Sequence, residues 1–124
     1  MWRESPQKPP ASTCFPWPEI ARNYDVVMPM GYWSVTKHAG QCGAEYDAGA
    51  YTRDVIATTT SLMGATRPML VVGGVGDCDT LAEVQGYVGA QKALGIGASI
   101  YSFRTVEDNA NADGFWKSLQ TARR

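Results

Sequence analysis

The sequence predicts an α/β fold in which three parallel strands alternate with helices, and three observations carry that expectation. Three short apolar runs have strand length: Val26-Val27-Met28-Pro29-Met30, Pro68-Met69-Leu70-Val71-Val72 and Ala98-Ser99-Ile100-Tyr101-Ser102-Phe103. Such runs, apolar on both faces, are what buried parallel strands look like. The segments between them repeat their apolar residues at helical spacing. The 124 residues are 44% hydrophobic and 19% charged, the profile of a globular chain and not of a disordered one.

Residues 1–24 read as a proline-rich lead-in with a short helix, of which residues 1–18 are expected to be extended and outside the core. Five of the seven prolines fall before residue 19, and proline removes a donor and disfavours helix ahead of it. A short helix is expected from Trp17 to Arg22, with Pro18 in its first turn and Asn23 near its end. Residues 25–124 then hold three β-α units. In the first strand Pro29 places the segment at an edge or a strand end, because proline cannot donate to a ladder.

The first long helix is read from Tyr51, Val55, Ile56, Thr59, Leu62 and Met63 on one face, with Gly64 as its stop. The second strand is expected to end at Gly73-Gly74. The next helix can be capped by Asp79 or Thr80, since Glu83 stands three residues after Thr80 as a capping box requires. Its apolar stripe is Leu81, Val84, Tyr87, Val88 and Leu94. A last helix fits Asp113 to about Ala122, with Phe115, Trp116 and Leu119 facing inward.

Repeated β-α units require right-handed crossovers, which leaves a doubly wound sheet or part of a (β/α)8 barrel. A whole barrel takes about 250 residues, so one copy of this chain cannot form it. The proline-rich lead-in and strands that three helices cannot cover on both faces favour a partial (β/α)8 (TIM) barrel.

Function classes are narrowed by charge and composition. Eleven Lys+Arg against twelve Asp+Glu, without basic clusters, give no footprint for nucleic acid. The longest apolar runs fall far short of the roughly 20 residues needed to cross a bilayer, and the first residues carry no signal-peptide segment. No cofactor motif and no metal-site spacing are read. The three cysteines, Cys14, Cys42 and Cys78, include no C-x-x-C pair. In a parallel sheet Cys42 and Cys78 follow the first and second strands at the same end; if those strands are neighbours this suits a disulfide, with Cys14 unpaired, and an oxidising compartment, the alternative being three reduced thiols.

In α/β proteins ligands bind beyond the carboxyl ends of strands. The residues there are Tyr32 and Trp33 after the first strand, Asp77 and Asp79 after the second, and Tyr101, Arg104, Glu107 and Asp108 at the third. Tyr32, Trp33 and Tyr101 offer flat rings with polar tips for a sugar face. Asp77 is a carboxylate not needed as a helix cap, and Arg104 can clamp a carboxylate or pair with Asp77 or Glu107. The expected cleft therefore has Tyr32, Trp33 and Tyr101 as walls and Asp77 and Arg104 at its rim. Regular alternation means that Tyr32 and Trp33 cannot both point inward. His38, the single histidine, falls in a polar loop with no second ligand beside it.

Gly73-Gly74-Val75-Gly76 resembles the seventh-strand turn of phosphate-binding barrels, although no glycine-rich turn follows the third strand as it does in those families. A second resemblance covers more of the chain. Tyr24-Asp25-Val26-Val27-Met28-Pro29-Met30-Gly31-Tyr32-Trp33 looks like the sixth strand of glycoside-hydrolase-like barrels, including the family 18 chitinases, whose Met-x-Tyr is here Met30-Gly31-Tyr32. Gly97-Ala98-Ser99-Ile100-Tyr101-Ser102-Phe103 is similar to their eighth strand, with Tyr101 where the family has tryptophan. The resemblance implies strands six to eight of a barrel, an extracellular setting and a polysaccharide or oligosaccharide partner. The family's acidic signature, Asp-x-x-Asp-x-Asp-x-Glu, belongs to the fourth strand and does not occur here. Glycosidases need two positioned carboxyl groups, or one and an assisting substrate, so the chain alone is expected to be inactive. A non-catalytic α/β binding or assembly module, completing its sheet with a second chain, is the alternative, and a phosphate-binding barrel fragment ranks third.

Overall fold

The computed structural model describes residues 15–36, 46–76, 78–94 and 97–122. Their order is α1 (Trp17–Asn23), β1 (Met30–Gly31), α2 (Trp33–Thr36), α3 (Ala48–Met63), β2 (Val72–Val75), α4 (Leu81–Lys92), β3 (Ser99–Tyr101), α5 (Phe103–Glu107) and α6 (Ala112–Thr121). The strands form one parallel sheet in the order β1-β2-β3. The protein is thus mixed α/β, with a three-stranded parallel sheet alternating with helices.

The register explains which side chains are buried. Met30 pairs with Val72 and Gly31 with Gly73, while Val72 pairs with Ser99 and Gly73 with Ile100. An isolated bridge from Val27 to Met69 extends the β1–β2 contact toward the amino ends. Side chains alternate across a strand, so Val27, Pro29 and Gly31 share one face with Met69, Val71 and Gly73. That face carries the core: Met69 and Val71 are buried, and a Cβ on Gly31 would meet Val71, with Tyr51 and Val55 of α3 just behind. The opposite face presents Val26, Met28 and Met30, each about half exposed, and Tyr101. Among the described residues no helix covers it.

The helices are packed against the covered face and one another, α3 on α4, α4 on α6 and α1 on α3. Helix α3 is capped at its start by the Asp47 carboxylate, which accepts the Ala50 N–H at 2.7 Å. It ends at Gly64, whose φ of 63° is the left-handed value that closes a helix without a Cβ penalty. Of the predicted stripe Tyr51, Val55, Thr59 and Met63 are buried, while Ile56 and Leu62 are half-buried. In α4 the cap is Thr80 and not Asp79. The Thr80 hydroxyl accepts the Glu83 N–H, and Glu83 accepts the Thr80 N–H in return. The other Glu83 oxygen takes the Tyr46 N–H at 2.8 Å, which pins the entry to α3 against the start of α4.

Two side chains of α4 replace strand pairing where β2 and β3 have not yet met. Gln91, fully buried, donates to Met69 O and accepts from the Val71 N–H, as a neighbouring strand would. The Tyr87 hydroxyl sits between the strands, donating to Val71 O at 2.6 Å or Ser99 O at 2.9 Å and accepting the Ser99 N–H at 2.9 Å. Burial outweighs these contacts and pushes its pKa up to about 12.

The strands are shorter than the sequence predicts: β1 is Met30–Gly31 with an isolated bridge at Val27, β2 begins at Val72, and β3 is Ser99–Tyr101. Gly73-Gly74 continue β2 instead of ending it, and Phe103 opens α5 instead of closing β3. Both follow from packing that sequence periodicity does not register. Trp33 needs bare backbone at Gly73, and Ser102 begins a helical turn with a capping box to Thr105.

Candidate functional site

The carboxyl ends of the three strands converge on Tyr32 and Tyr101. Tyr32 continues the alternation of Met28 and Met30 and so projects from the open face. Tyr101 ends β3 on that same face, two residues beyond Ser99. Neighbouring strands lie about 4.8 Å apart, so β1 and β3 are separated by roughly 10 Å, a gap two tyrosine side chains can close. Their ring centroids stand 5.7 Å apart, tilted by 42°. Tyr32 is half-buried and Tyr101 exposed. The Tyr101–Ser102 peptide is cis.

Trp33 corrects the expectation that it forms a wall of the cleft. It is fully buried, because the chain turns into α2 directly after Tyr32 and drops the indole onto the helix side of the sheet. There it lies 5.0 Å from Tyr87, ring to ring, and over Gly73, where a Cβ would collide with it. Of the two adjacent aromatics, one serves the core and one the open face, as alternation requires.

The glycine-rich turn is filled by the chain's own groups. Gly74 has a φ of 44°, and a Cβ there would land on the Asp79 carboxylate. Asp79 itself is buried. The Gly76 N–H is committed to Tyr101 O at 3.1 Å and Thr105 Oγ1 at 3.2 Å. The turn that resembles a phosphate-binding one in sequence thus holds a carboxyl group against Gly74 and an engaged Gly76 amide.

Arg104 is exposed on α5 and does not pair with Glu107. Its Nε donates to Asp108 Oδ2 at 3.2 Å, one helical turn on, with both side chains largely in solvent. An exposed pair of this kind contributes little to stability and leaves the guanidinium accessible. Glu107 instead accepts the Trp116 indole N–H at 2.8 Å. Asp77 lies outside the described residues, as do Cys14, His38 and Cys42. Cys78 is disulfide-bonded.

Sequence reading missed Asn109, whose amide donates to Gly76 O at 2.7 Å and Asp79 O at 3.0 Å. It thereby fastens the turn after β2 to the segment after β3. No periodicity marks such a residue; its position in a polar loop next to Asp108 is the only signal. Thr105 is a second case, since its hydroxyl takes the N–H groups of both Gly76 and Ser102.

Among the described residues no group of three or more potential ligands could hold a metal ion, and no helix is long and apolar enough to cross a membrane. Comparison with protein-family models, with curated proteins and with solved structures returned no match.

Proposed function

We propose that this chain is the carboxy-terminal portion, strands six to eight, of a glycoside-hydrolase-like (β/α)8 barrel, and that it contributes carbohydrate contacts without the acid–base pair. The observation that carries the reading is the meeting of Tyr32 and Tyr101 at the carboxyl end of the open sheet face. In a barrel that face lines the interior, and that end is the mouth where ligands bind. Arg104 stands beyond Tyr101 as an accessible donor for sugar hydroxyls or a sugar carboxylate.

The open edge of β1 supports the barrel. Backbone bonds to the β2 segment use Val27 N–H to Pro68 O, Leu70 N–H to Val27 O and Val72 N–H to Pro29 O. Alternation turns the peptide groups of Val26, Met28 and Met30 the other way, toward an edge with which no described strand pairs. The N–H that Pro29 lacks would face β2, so the free edge keeps its donors. None of Val26, Met28 and Met30 is one of the charged residues or prolines that usually guard an edge. The same three residues leave their side chains on the open face. Further parallel β-α units pair with this edge and cover this face at once, whereas edge pairing with a second copy of the chain would leave the face bare. The disulfide at Cys78 suits the oxidising, extracellular setting of an enzyme that acts on polysaccharide.

The test is titration of the purified chain with β-linked glucose and N-acetylglucosamine oligomers, alongside an assay for their hydrolysis. Binding without turnover, weakened roughly tenfold or more by Tyr32→Ala or Tyr101→Ala, is expected. Absence of binding refutes the carbohydrate reading. Turnover abolished by Asp77→Asn would make Asp77 catalytic and refute the division of labour. The free edge also fits a non-catalytic assembly module, and a stable dimer by sedimentation, lost on Met28→Pro, would favour that second reading.

A further inference from the structure

Five residues of α5 and the start of α6 build an aromatic surface that the Tyr32–Tyr101 site does not use. Phe103 is the most exposed large apolar side chain among the described residues, at 69%. Its ring stacks on Trp116 of α6, with centroids 5.6 Å apart and planes within 28° of parallel. The Trp116 ring and the backbone that carries Phe103 are both held. Phe103 is the first residue of a turn closed by Ser102 and Thr105, whose hydroxyl accepts the Ser102 N–H at 2.8 Å and donates to Ser102 O at 2.9 Å. Trp116 is half-buried at the margin of the core, next to the buried Phe115, and the Glu107 carboxylate fixes its indole N–H.

One face of Phe103 is turned toward Trp116, and most of the ring stands in solvent. An apolar ring packed on one neighbour and otherwise exposed leaves the rest of its burial to a ligand. Only Ser102 separates Phe103 from Tyr101, so their Cα atoms lie within about 7 Å. Arg104 and Glu107, on the same short helix, supply a hydrogen-bonding rim. Flat rings with polar rims fit the alternating CH faces and hydroxyls of sugar units, and the short spacing from Tyr101 is within the reach of one oligosaccharide.

We propose that Phe103, stacked on Trp116, is a second carbohydrate platform that takes an outlying ring of an oligosaccharide whose inner ring contacts Tyr32 and Tyr101. The proposal rests on the carbohydrate reading of the tyrosine pair and adds that the ligand is an oligomer and not a single sugar.

The test compares N-acetylglucosamine and glucose oligomers of two to six rings by titration calorimetry, with tryptophan fluorescence reporting on Trp116. Affinity is expected to rise with length. Phe103→Ala should lower affinity for the long oligomers by roughly five- to tenfold, the scale of one aromatic contact. The shortest oligomers should bind the variant as they bind the parent, and Phe103→Tyr should retain the gain with length. Because Phe103 is exposed, circular dichroism and the urea midpoint should not move. Equal effects of Phe103→Ala on short and long oligomers, or none on either, overturn the proposal while leaving the tyrosine site standing. A self-association lost in Phe103→Ala overturns it in favour of contact between copies. Absence of binding to any oligomer, or binding indifferent to Tyr32→Ala and Tyr101→Ala, overturns the carbohydrate reading itself.

Discussion

Replacing Tyr87 by Phe removes one oxygen from the centre of the sheet and leaves its shape intact. The hydroxyl donates toward Val71 O and Ser99 O and accepts the Ser99 N–H, all where β2 and β3 diverge. Phenylalanine fills nearly the same volume, so no large cavity opens. What is lost is a donor and an acceptor to buried backbone groups, each worth about 1–3 kcal/mol when left unsatisfied. The variant is expected to lose about 2–4 kcal/mol, a large share of the stability of a small domain. In urea denaturation with an unchanged slope of about 1–3 kcal/mol/M, the midpoint should fall by about 0.7–4 M. Alkaline pH supplies an independent check. Burial raises the phenol from the usual 10 to about 12, so between those values the unfolded chain has released a proton that the folded chain retains. Stability contributed by Tyr87 is full below pH 10 and declines as pH rises toward 12, by up to about 3 kcal/mol at 1.36 kcal/mol per unit. The Phe variant has no such proton to lose. Its deficit relative to the parent should therefore shrink between pH 9 and 12. A loss below about 0.5 kcal/mol at neutral pH, or a deficit that stays constant to pH 12, would show that Tyr87 is not the junction described.

Two further outcomes follow from the packing and the disulfide. Gly73→Ala pushes a methyl group into Trp33 and close to Tyr87; overpacking of this kind should cost at least about 2 kcal/mol by chemical denaturation and alter Trp33 fluorescence, and a neutral result would mean the indole can move aside. Titration of thiols in unfolded, unreduced protein should find one of the three cysteines free, and three free thiols would remove the bridge at Cys78 and the argument for export.

Much of this architecture is legible in the sequence because it rests on local signals. Gly64 stops α3 and the Thr80–Glu83 box starts α4 as their residue types require. The approach of Tyr32 to Tyr101 follows from strand-end placement together with the period of two. The remainder depends on partners distant in sequence. Gly73 and Gly74 read as a strand terminator until Trp33 and Asp79 are seen against them. Tyr87 and Gln91 read as members of a helix stripe, although their polar ends decide where β2 and β3 join. Helix α5 has five residues, too few for periodicity to show.

Asn109 gives the molecule an order of assembly. Its bonds to Gly76 and Asp79 close spans of 33 and 30 residues, and the Gly76 N–H waits on Tyr101 and Thr105 from the same late segment. During folding, loop closure over such spans comes after the local helices have formed. The turn after β2 therefore acquires its shape only when the last β-α unit docks. A chain ending before residue 101 would form α3 and α4 yet leave that turn without its fastenings. In folding kinetics Asn109→Ala should accordingly speed unfolding far more than it slows folding, because its contacts belong to the final step.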